Sequence, residues 1–334
     1  MSRISSYREA GVDIGLEADA ISSLVNELRF RRKGPFQAIG KVGHFAGLIE
    51  FGDRVLALTT DGVGTKMLVA DRLEDWTTVG IDCVAMNVND LYVMNVEPVA
   101  FVDYIATDCL DKSKMAQIGV GLNEGARQAN IDIVGGETAT LSGLVQGLDL
   151  AGTCLGVQER GKVVTGAQIR PGDLVVGVPS SGIHSNGLTL ARRVIEEFGC
   201  YDELLSNGRT FGRELLTPTR IYSIALEVCR NAQVHGMCHV TGGGLLNFLR
   251  LSRYGVRISE PLPPQEIFTR IQTMAGISVE EMYRTFNMGM GFAFIVSPEE
   301  ISAVMGVVPE ARVTGAITEE RGIWLGDKSI LPDD

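Results

Sequence analysis

Between Trp76 and Val96 nearly every residue is apolar, and no other stretch restricts the fold so strongly. Val79, Ile81, Val84, Ala85, Met86, Val88, Leu91, Val93 and Met94 leave no polar face, so a helix here is buried on most sides. Yet the same stretch carries Asp82, Asn89 and Asp90, and offsets of seven and eight residues bring Asn89 and Asp90 near the Asp82 face. Buried carboxylates need a cation or hydrogen-bond partners, because ionising them unpaired is costly. Two readings follow, an Asp–Asn capping network or metal ligation, and this many acids on an apolar helix favour the metal.

A second chemical signal lies just upstream. The apolar run Val55-Leu56-Ala57-Leu58 reads as a short buried strand and feeds Thr59-Thr60-Asp61-Gly62-Val63-Gly64-Thr65-Lys66. Gly62 and Gly64 let backbone approach a phosphate, while Lys66 and a metal held by Asp61 offset its charge. A tight turn with a surface lysine is the competing reading. The octet is not a Walker A loop, whose G-x-x-x-x-G-K-[ST] spacing is absent. The logic repeats at Gly135-Gly136-Glu137-Thr138, where the strand Ile131–Val134 ends on two glycines and an acid. Asp61, Asp82, Asp90 and Glu137 are therefore candidates for one cation site.

Upstream of these, a helix is read from about Ala18 with Ile21, Leu24, Val25 and Leu28 on one face, followed by a glycine-bearing loop over 40–47. Ser6–Asp13 reads as an ordered arm or lid. The turn Arg170-Pro171-Gly172-Asp173 marks the domain boundary, with domains at 1–168 and 169–334. Beyond it, the strand Leu174–Val178 runs into Ser180-Ser181-Gly182-Ile183-His184-Ser185-Asn186-Gly187 and a helix over 188–198. Small and hydroxyl residues before a helix suit a phosphate cradle, against an ordinary serine-rich cap. His184 is either an acid, base or phosphate donor or a satisfied structural histidine. Leu216-Thr217-Pro218-Thr219-Arg220 starts a helix through Cys229, with Thr219 as its cap. Thr241-Gly242-Gly243-Gly244 is a second candidate anion loop, and Arg284 and Asn287 are polar groups among apolar neighbours. Both halves alternate strands and helices, which points to an α/β (α+β type) class.

The 334 residues suffice for two domains, and a net charge of −11 argues against general nucleic-acid binding. An anionic substrate then needs a local positive site or a metal. The six cysteines are scattered without a C-x-x-C pair and read as reduced thiols. No apolar run approaches a membrane span, and the reading is a cytoplasmic protein that does not engage a membrane.

Eight motifs in register now carry a resemblance: T-T-D-G-V-G-T-K (59–66), G-I-D-x-V-A-M-N-V-N-D (80–90), F-V-D-Y-I-A-T (101–107), G-G-E-T-A (135–139), S-S-G-I-H-S-N-G (180–187), L-T-P-T-R-I-Y (216–222), H-V-T-G-G-G (239–244) and M-Y-R-T-F-N-M-G-M-G (282–291). Together with S-Y-R-E-A-G-V-D at 6–13, they make nearly the whole chain similar to the phosphoribosylformylglycinamidine cyclo-ligase family of purine biosynthesis. That resemblance implies an N-terminal α/β domain pairing across a homodimer into a β-barrel, plus a C-terminal α/β domain. It implies ATP as co-substrate, Mg2+, and a small ribonucleotide substrate cyclised after ATP phosphorylates its formyl oxygen. Asp61, Asp82, Asp90 and Glu137 would hold the metal, with Asn89 supporting. Asp61, Gly62, Gly64, Thr65, Lys66 and Asn89 would meet ATP and its phosphates. Ser181, His184, Ser185, Asn186, Thr241, Gly242, Gly243 and Gly244 would hold substrate, and Arg284 and Asn287 would orient it. Lys66 and His184 are the candidate catalytic groups.

Two departures from the bacterial pattern stand out: Gly43-His44-Phe45-Ala46 replaces a G-G-F-G run, and the chain is short between 252 and 265. Related families fit less well. Selenide water dikinase would want a reactive N-terminal cysteine, and the first here is Cys83. Thiamine-phosphate kinase carries a G-D-D-A loop where this chain has Gly43-His44-Phe45-Ala46.

Overall fold

The computed structural model describes residues 6, 9–40 and 44–331. Tyr7 and Arg8 of the expected arm, and Lys41–Gly43 of the glycine-bearing loop, lie outside them. In the first half α1 (Ile14–Glu27) precedes β1 (Ala38–Ile39), β2 (Gly47–Phe51) and β3 (Arg54–Gly62). Then come α2 (Lys66–Leu73), α3 (Val79–Tyr92), β4 (Glu97–Thr107), α4 (Lys112–Ala129), β5 (Asp132–Thr140) and β6 (Leu148–Glu159). The second half runs β7 (Leu174–Pro179), α5 (Leu188–Phe198), α6 (Phe211–Leu215), α7 (Ile224–Asn231) and β8 (Val234–His239). It finishes with β9 (Gly255–Ile258), α8 (Glu266–Ala275), α9 (Val279–Thr285), β10 (Met290–Val296), α10 (Ile301–Val307), β11 (Arg312–Thr318), β12 (Ile323–Leu325) and β13 (Lys328–Ser329).

Two sheets result. The first has order β1-β2-β3-β6-β4-β5 and is antiparallel except for β4 beside β5. The second, β13-β12-β9-β11-β7-β10-β8, is antiparallel except for β12 beside β9. The apolar helix α3 lies against β3, β4 and β6 and is buried along thirteen of its fourteen residues. It packs tightly on α4, where a Cβ at Gly80 would overlap the backbone of Gly121 and Leu122. Burial of Ile118, Leu122 and Ala126 on α4 follows its helical spacing, and Asp111 caps its first turn.

Along β6 the buried residues Leu150, Gly152, Cys154 and Gly156 alternate with less buried ones, so only one face of the first sheet is covered by helices. The other face presents Leu58, Val102 and Tyr104, each roughly two-fifths exposed. Helix α1 starts earlier than the apolar pattern suggested, because the Asp13 carboxylate accepts the Leu16 N–H at 3.1 Å. Its stripe of Ile21 and Leu24 is more than 60% exposed, so these side chains are not buried in the core of the described residues.

Candidate functional site

Strand β3 extends through Asp61 and Gly62, and the chain turns at Val63–Thr65 into α2, which begins at Lys66. Opposite this turn, the loop after β7 enters α5 and the Thr241–Gly244 loop follows β8. Between them is a cleft of about 390 Å³ lined by Gly64, Thr65, Ser185, Asn186, Gly242 and Gly243, with Arg250 at its edge and Glu17 and Ile21 of α1 above. Thr65 and Thr189 hydroxyls meet at 2.9 Å across it. A groove of similar size, about 380 Å³, lies beside the buried His235–Asp173 pair, but it draws on none of the glycine loops or acids singled out above. The first cleft is the better chemical site because backbone from both halves, a guanidinium and nearby carboxylates converge there.

The carboxylates are Asp61 and Asp90. Asp61 Oδ1 accepts the Gly62 N–H at 2.7 Å. Burial, then the negative Asp90, push its carboxyl up to about 6, with the Gly62 bond, His239 and Arg250 pulling it partly back. Asp90 Oδ1 faces His239 Nδ1 at 3.1 Å. Asn89 sets the tautomer of that histidine. Its Oδ1 accepts the Tyr222 N–H at 2.9 Å and its Nδ2 donates to the Arg220 carbonyl at 2.9 Å, so Nδ2 faces His239 Nε2 at 3.3 Å. Nε2 is therefore an acceptor, and Nδ1–H donates to Asp90.

The four acids do not converge within the chain; among the described residues no group of three or more His, Cys, Asp or Glu side chains is placed to hold a metal. Glu137 pairs in register with Tyr104, which pairs with Ala151 and so falls in the row of Gly62. Asp61 belongs to the adjacent row, with Gly152 and Asp103, and projects from the opposite face. Asp103 shares that face with Asp61, and burial raises its carboxyl. The alternation of the strands contains this information, but only the sheet order shows that β3 and β4 both flank β6.

Asp82 also has a different place. It is fully buried, and its cation is Lys66, whose Nζ lies 2.8 Å from both carboxylate oxygens. Lys66 is likewise fully buried and donates to the Thr217 carbonyl at 2.6 Å, so its ammonium does not face the cleft. The expectations of a metal ligand at Asp82 and a phosphate group at Lys66 are thus replaced by an internal ion pair. Thr219 gives its N–H and hydroxyl to Asp82 at 2.7 and 2.6 Å instead of capping a helix, and α7 starts later, at Ile224.

Of the expected substrate groups, Ser185, Asn186, Gly242 and Gly243 line the cleft. His184 does not: it is 1% exposed, in a left-handed conformation, with Nε2 accepting the Ser181 N–H at 3.3 Å. Burial holds its imidazole well below the usual range, and the ring supports the loop from inside instead of lining the cleft. Asn287, 3% exposed, donates to the Gly182 and Ile183 carbonyls and accepts the Gly289 N–H, which makes it a clamp on the same loop. Ser181 is tied to the Pro218 carbonyl at 2.7 Å. Arg284 sits 3.5 Å from Glu281 on α9 and takes no part in lining the cleft. Thr241 accepts the Gly244 N–H through its carbonyl, and a Cβ at Gly244 would overlap the Tyr283 carbonyl, so this glycine shapes the loop from beneath.

Sequence reasoning passed over Arg250, Asn247 and His239. Asn247 donates to the Gly242 and Gly244 carbonyls at 3.0 and 2.9 Å and holds the anion loop open. Arg250 is exposed, lies 5.7 Å from the Phe45 ring and forms no ion pair among the described residues. An arginine at the end of a short apolar run carries no signal until the fold turns it into the cleft.

Residues 43–158 match the family model described as AIR synthase related protein, N-terminal domain, and residues 170–326 match AIR synthase related protein, C-terminal domain. The phosphoribosylformylglycinamidine cyclo-ligase of Methanosarcina barkeri is 48% identical over 325 residues, 96% of this chain and 97% of that one. Among solved structures, the thiamine monophosphate kinase of Aquifex aeolicus superposes with a TM-score of 0.64 at 17% identity, covering 96% of this chain and all of that one (100%). The hydrogenase maturation protein HypE in complex with ATP gives 0.59 at 18% identity, over 79% of this chain and 77% of that one.

Proposed function

The chain belongs to the AIR synthase family, and from that premise we propose that it closes formylglycinamidine ribonucleotide to aminoimidazole ribonucleotide with conversion of ATP to ADP and phosphate. It is an ATP-dependent cyclo-ligase of purine biosynthesis. The observation that carries the reading is the cleft itself, where Gly64–Thr65 of one domain face Asn186 and Gly242–Gly243 of the other beside Asp61, Asp90 and Arg250. The domains divide at 168/169, next to the turn that precedes β7.

An amide oxygen is a poor leaving group, so ring closure needs activation. The substrate's formyl oxygen attacks the γ-phosphorus of ATP, the bond to ADP breaks, and the formamide nitrogen loses its proton as an iminophosphate forms. A neighbouring nitrogen of the substrate then attacks that carbon, the carbon–oxygen bond breaks, phosphate leaves, and the nitrogen loses its proton. Such transfers ask the protein chiefly for positioning and charge balance.

Asp61 and Asp90 suit Mg2+, which commonly takes one or two carboxylates and completes its shell with water and substrate phosphates. The raised Asp61 carboxyl supports this fit, because two nearby acids are relieved by a cation. When bound, the ion would neutralise polyphosphate charge. Asn89, through His239, holds Asp90 in place. The backbone of Gly64 and Thr65 lies beside ATP, while Asn186, Ser185 and the Gly242–Gly243 backbone receive the ribonucleotide. Arg250 anchors its 5′-phosphate, since a fork of donors without a carboxylate partner matches phosphate geometry. Replacing Arg250 by methionine is expected to raise KM for the ribonucleotide about 30-fold or more while KM for ATP stays nearly unchanged. A change confined to ATP would move the phosphate subsite elsewhere.

The uncovered face of the first sheet, with Leu58, Val102 and Tyr104, together with the apolar stripe of α1, supports a homodimer built sheet to sheet. Sedimentation at micromolar concentration tests it, and a monomer there would refute the pairing. No helix among the described residues is long and apolar enough to cross a membrane. Incubation with formylglycinamidine ribonucleotide, ATP and Mg2+ tests the activity. Equal release of ADP and aminoimidazole ribonucleotide is expected, and ATP binding without cyclised product would sink the assignment.

A further inference from the structure

The fully buried pair of Lys66 and Asp82 joins the two halves of the cleft. Asp82 Oδ1 receives the Lys66 ammonium at 2.8 Å, the Ser185 hydroxyl at 3.0 Å, the Thr219 N–H at 2.7 Å and the Thr219 hydroxyl at 2.6 Å. Lys66 and Asp82 belong to the first domain, and Ser185, Thr217 and Thr219 to the second. One carboxylate oxygen therefore gathers donors from α2, from the loop preceding α5 and from the Thr217–Arg220 segment. Lys66 follows Thr65, and Ser185 precedes Asn186, so the same pair lies directly behind residues of both cleft walls.

The bonding is concentrated on one oxygen: the Thr219 backbone and side chain and Ser185 all converge on Oδ1 beside the ammonium, while the buried Oδ2 has the Lys66 ammonium as its ionic contact. The contacts continue along α3, where Asn89 holds the Arg220 carbonyl and Tyr222 N–H seven residues further on. A polar seam on an otherwise apolar helix thus grips one continuous segment of the other domain. Apolar packing would hold the domains together, but it tolerates sliding by fractions of an ångström, whereas charged bonds to fixed backbone groups do not.

We propose that the Lys66–Asp82 pair is a positioning device that sets the register between the first domain's Gly64–Thr65 turn and the second domain's Ser185–Asn186 loop, and that it does so without touching nucleotide or substrate. Its role goes beyond the proposed function and does not depend on which ribonucleotide occupies the cleft. Transfer between two ligands held on different domains is sensitive to their relative placement, and a misplacement of about 1 Å can cost on the order of 10²-fold in rate.

Lys66→Met alone leaves a buried carboxylate without its cation, so the informative variant is the double Lys66→Met, Asp82→Asn. It carries no buried charge and keeps a carbonyl oxygen to accept the Thr219 N–H. Three quantities are measured on the full chain: amide hydrogen exchange over 180–187 and 217–220, the dissociation constant for ATP, and kcat against KM. The expected result is exchange about ten-fold faster in those segments, ATP affinity within about three-fold of the parent, and kcat lowered about 10²-fold with KM for ATP little changed. Unchanged kcat overturns the proposal whatever exchange shows. A loss of ATP affinity above about ten-fold with the segments still protected also overturns it, because Lys66 would then meet the nucleotide. Exchange is read on the protein alone, so failure to cyclise the ribonucleotide in the parent would strike the proposed activity and leave this arm standing.

Discussion

Replacing Asp90 by asparagine is expected to lower kcat by about 10³-fold while leaving the unfolding midpoint within about 2 °C of the parent. The two effects separate because of what surrounds the side chain. Asp90 is part-exposed, at 22%, and its protein partner is the Nδ1–H of His239, which an asparagine oxygen also accepts. Volume and hydrogen bond survive the change, so the fold has little to lose. What disappears is the negative charge beside Asp61, whose carboxyl burial and that charge push up to about 6. A loss of about 10³ corresponds to roughly 4 kcal/mol of transition-state stabilisation, within reach of a charge that helps hold a phosphate-bound cation. Steady-state ADP release at saturating substrates gives kcat, and a thermal melt followed by circular dichroism gives the midpoint. A kcat within ten-fold of the parent would remove Asp90 from the chemistry.

Asp61→Asn should cost activity on the same scale but raise stability, which makes its signature opposite in sign. The Asp61 carboxyl is pushed up to about 6, first by burial and then by Asp90. A carboxylate whose folded pKa lies above its unfolded one makes the native state bind more protons in between. Stability therefore falls as pH rises from about 4 to 6 and stays at the lower level above that window. Removing the ionisable group relieves about 2 kcal/mol at neutral pH, or roughly 4 °C in the midpoint, once solvent access is allowed for. The measurement is the melting midpoint of the cation-free parent and variant at pH 4.5 and pH 7.5. Curves that stay parallel across that range would show that Asp61 ionises normally and that its environment is not the strained one described. Such a trade, stability given up for charge held near a ligand, is expected where a fold must wait for its cation.

Much of this molecule was legible in the order of its residues. The apolar run over 79–94 demanded a helix covered on most sides, and α3 is one because nothing in that run tolerates water. Period-two and helical spacing located most strands and helices, and Gly64, Gly242 and Gly243 marked the cleft because backbone without side chains can approach a ligand. The need for partners around Asp82 and Asn89 was equally plain, since the composition of α3 leaves a buried acid no other option.

Which partners they found was decided in three dimensions. Lys66 lies sixteen residues before Asp82, but Ser185 and Thr219 lie 103 and 137 residues beyond it, and no local pattern links such positions. The side chain of Glu137 is on the far face of the first sheet from Asp61, because the order β3-β6-β4-β5 places them in adjacent rows, and strand order is a property of the whole sheet. His184 looked reactive in a loop of hydroxyls, yet burial holds its imidazole well below the usual range and the ring supports Ser181 from inside. Arg250 carried no mark at all in the sequence and acquires its meaning from the cleft it borders. Residue chemistry and spacing thus determined which groups require a cation, a phosphate or cover. Only the packing of the two domains determined which of those requirements the protein meets internally and which it leaves for ligands, because that depends on contacts between residues far apart in the chain.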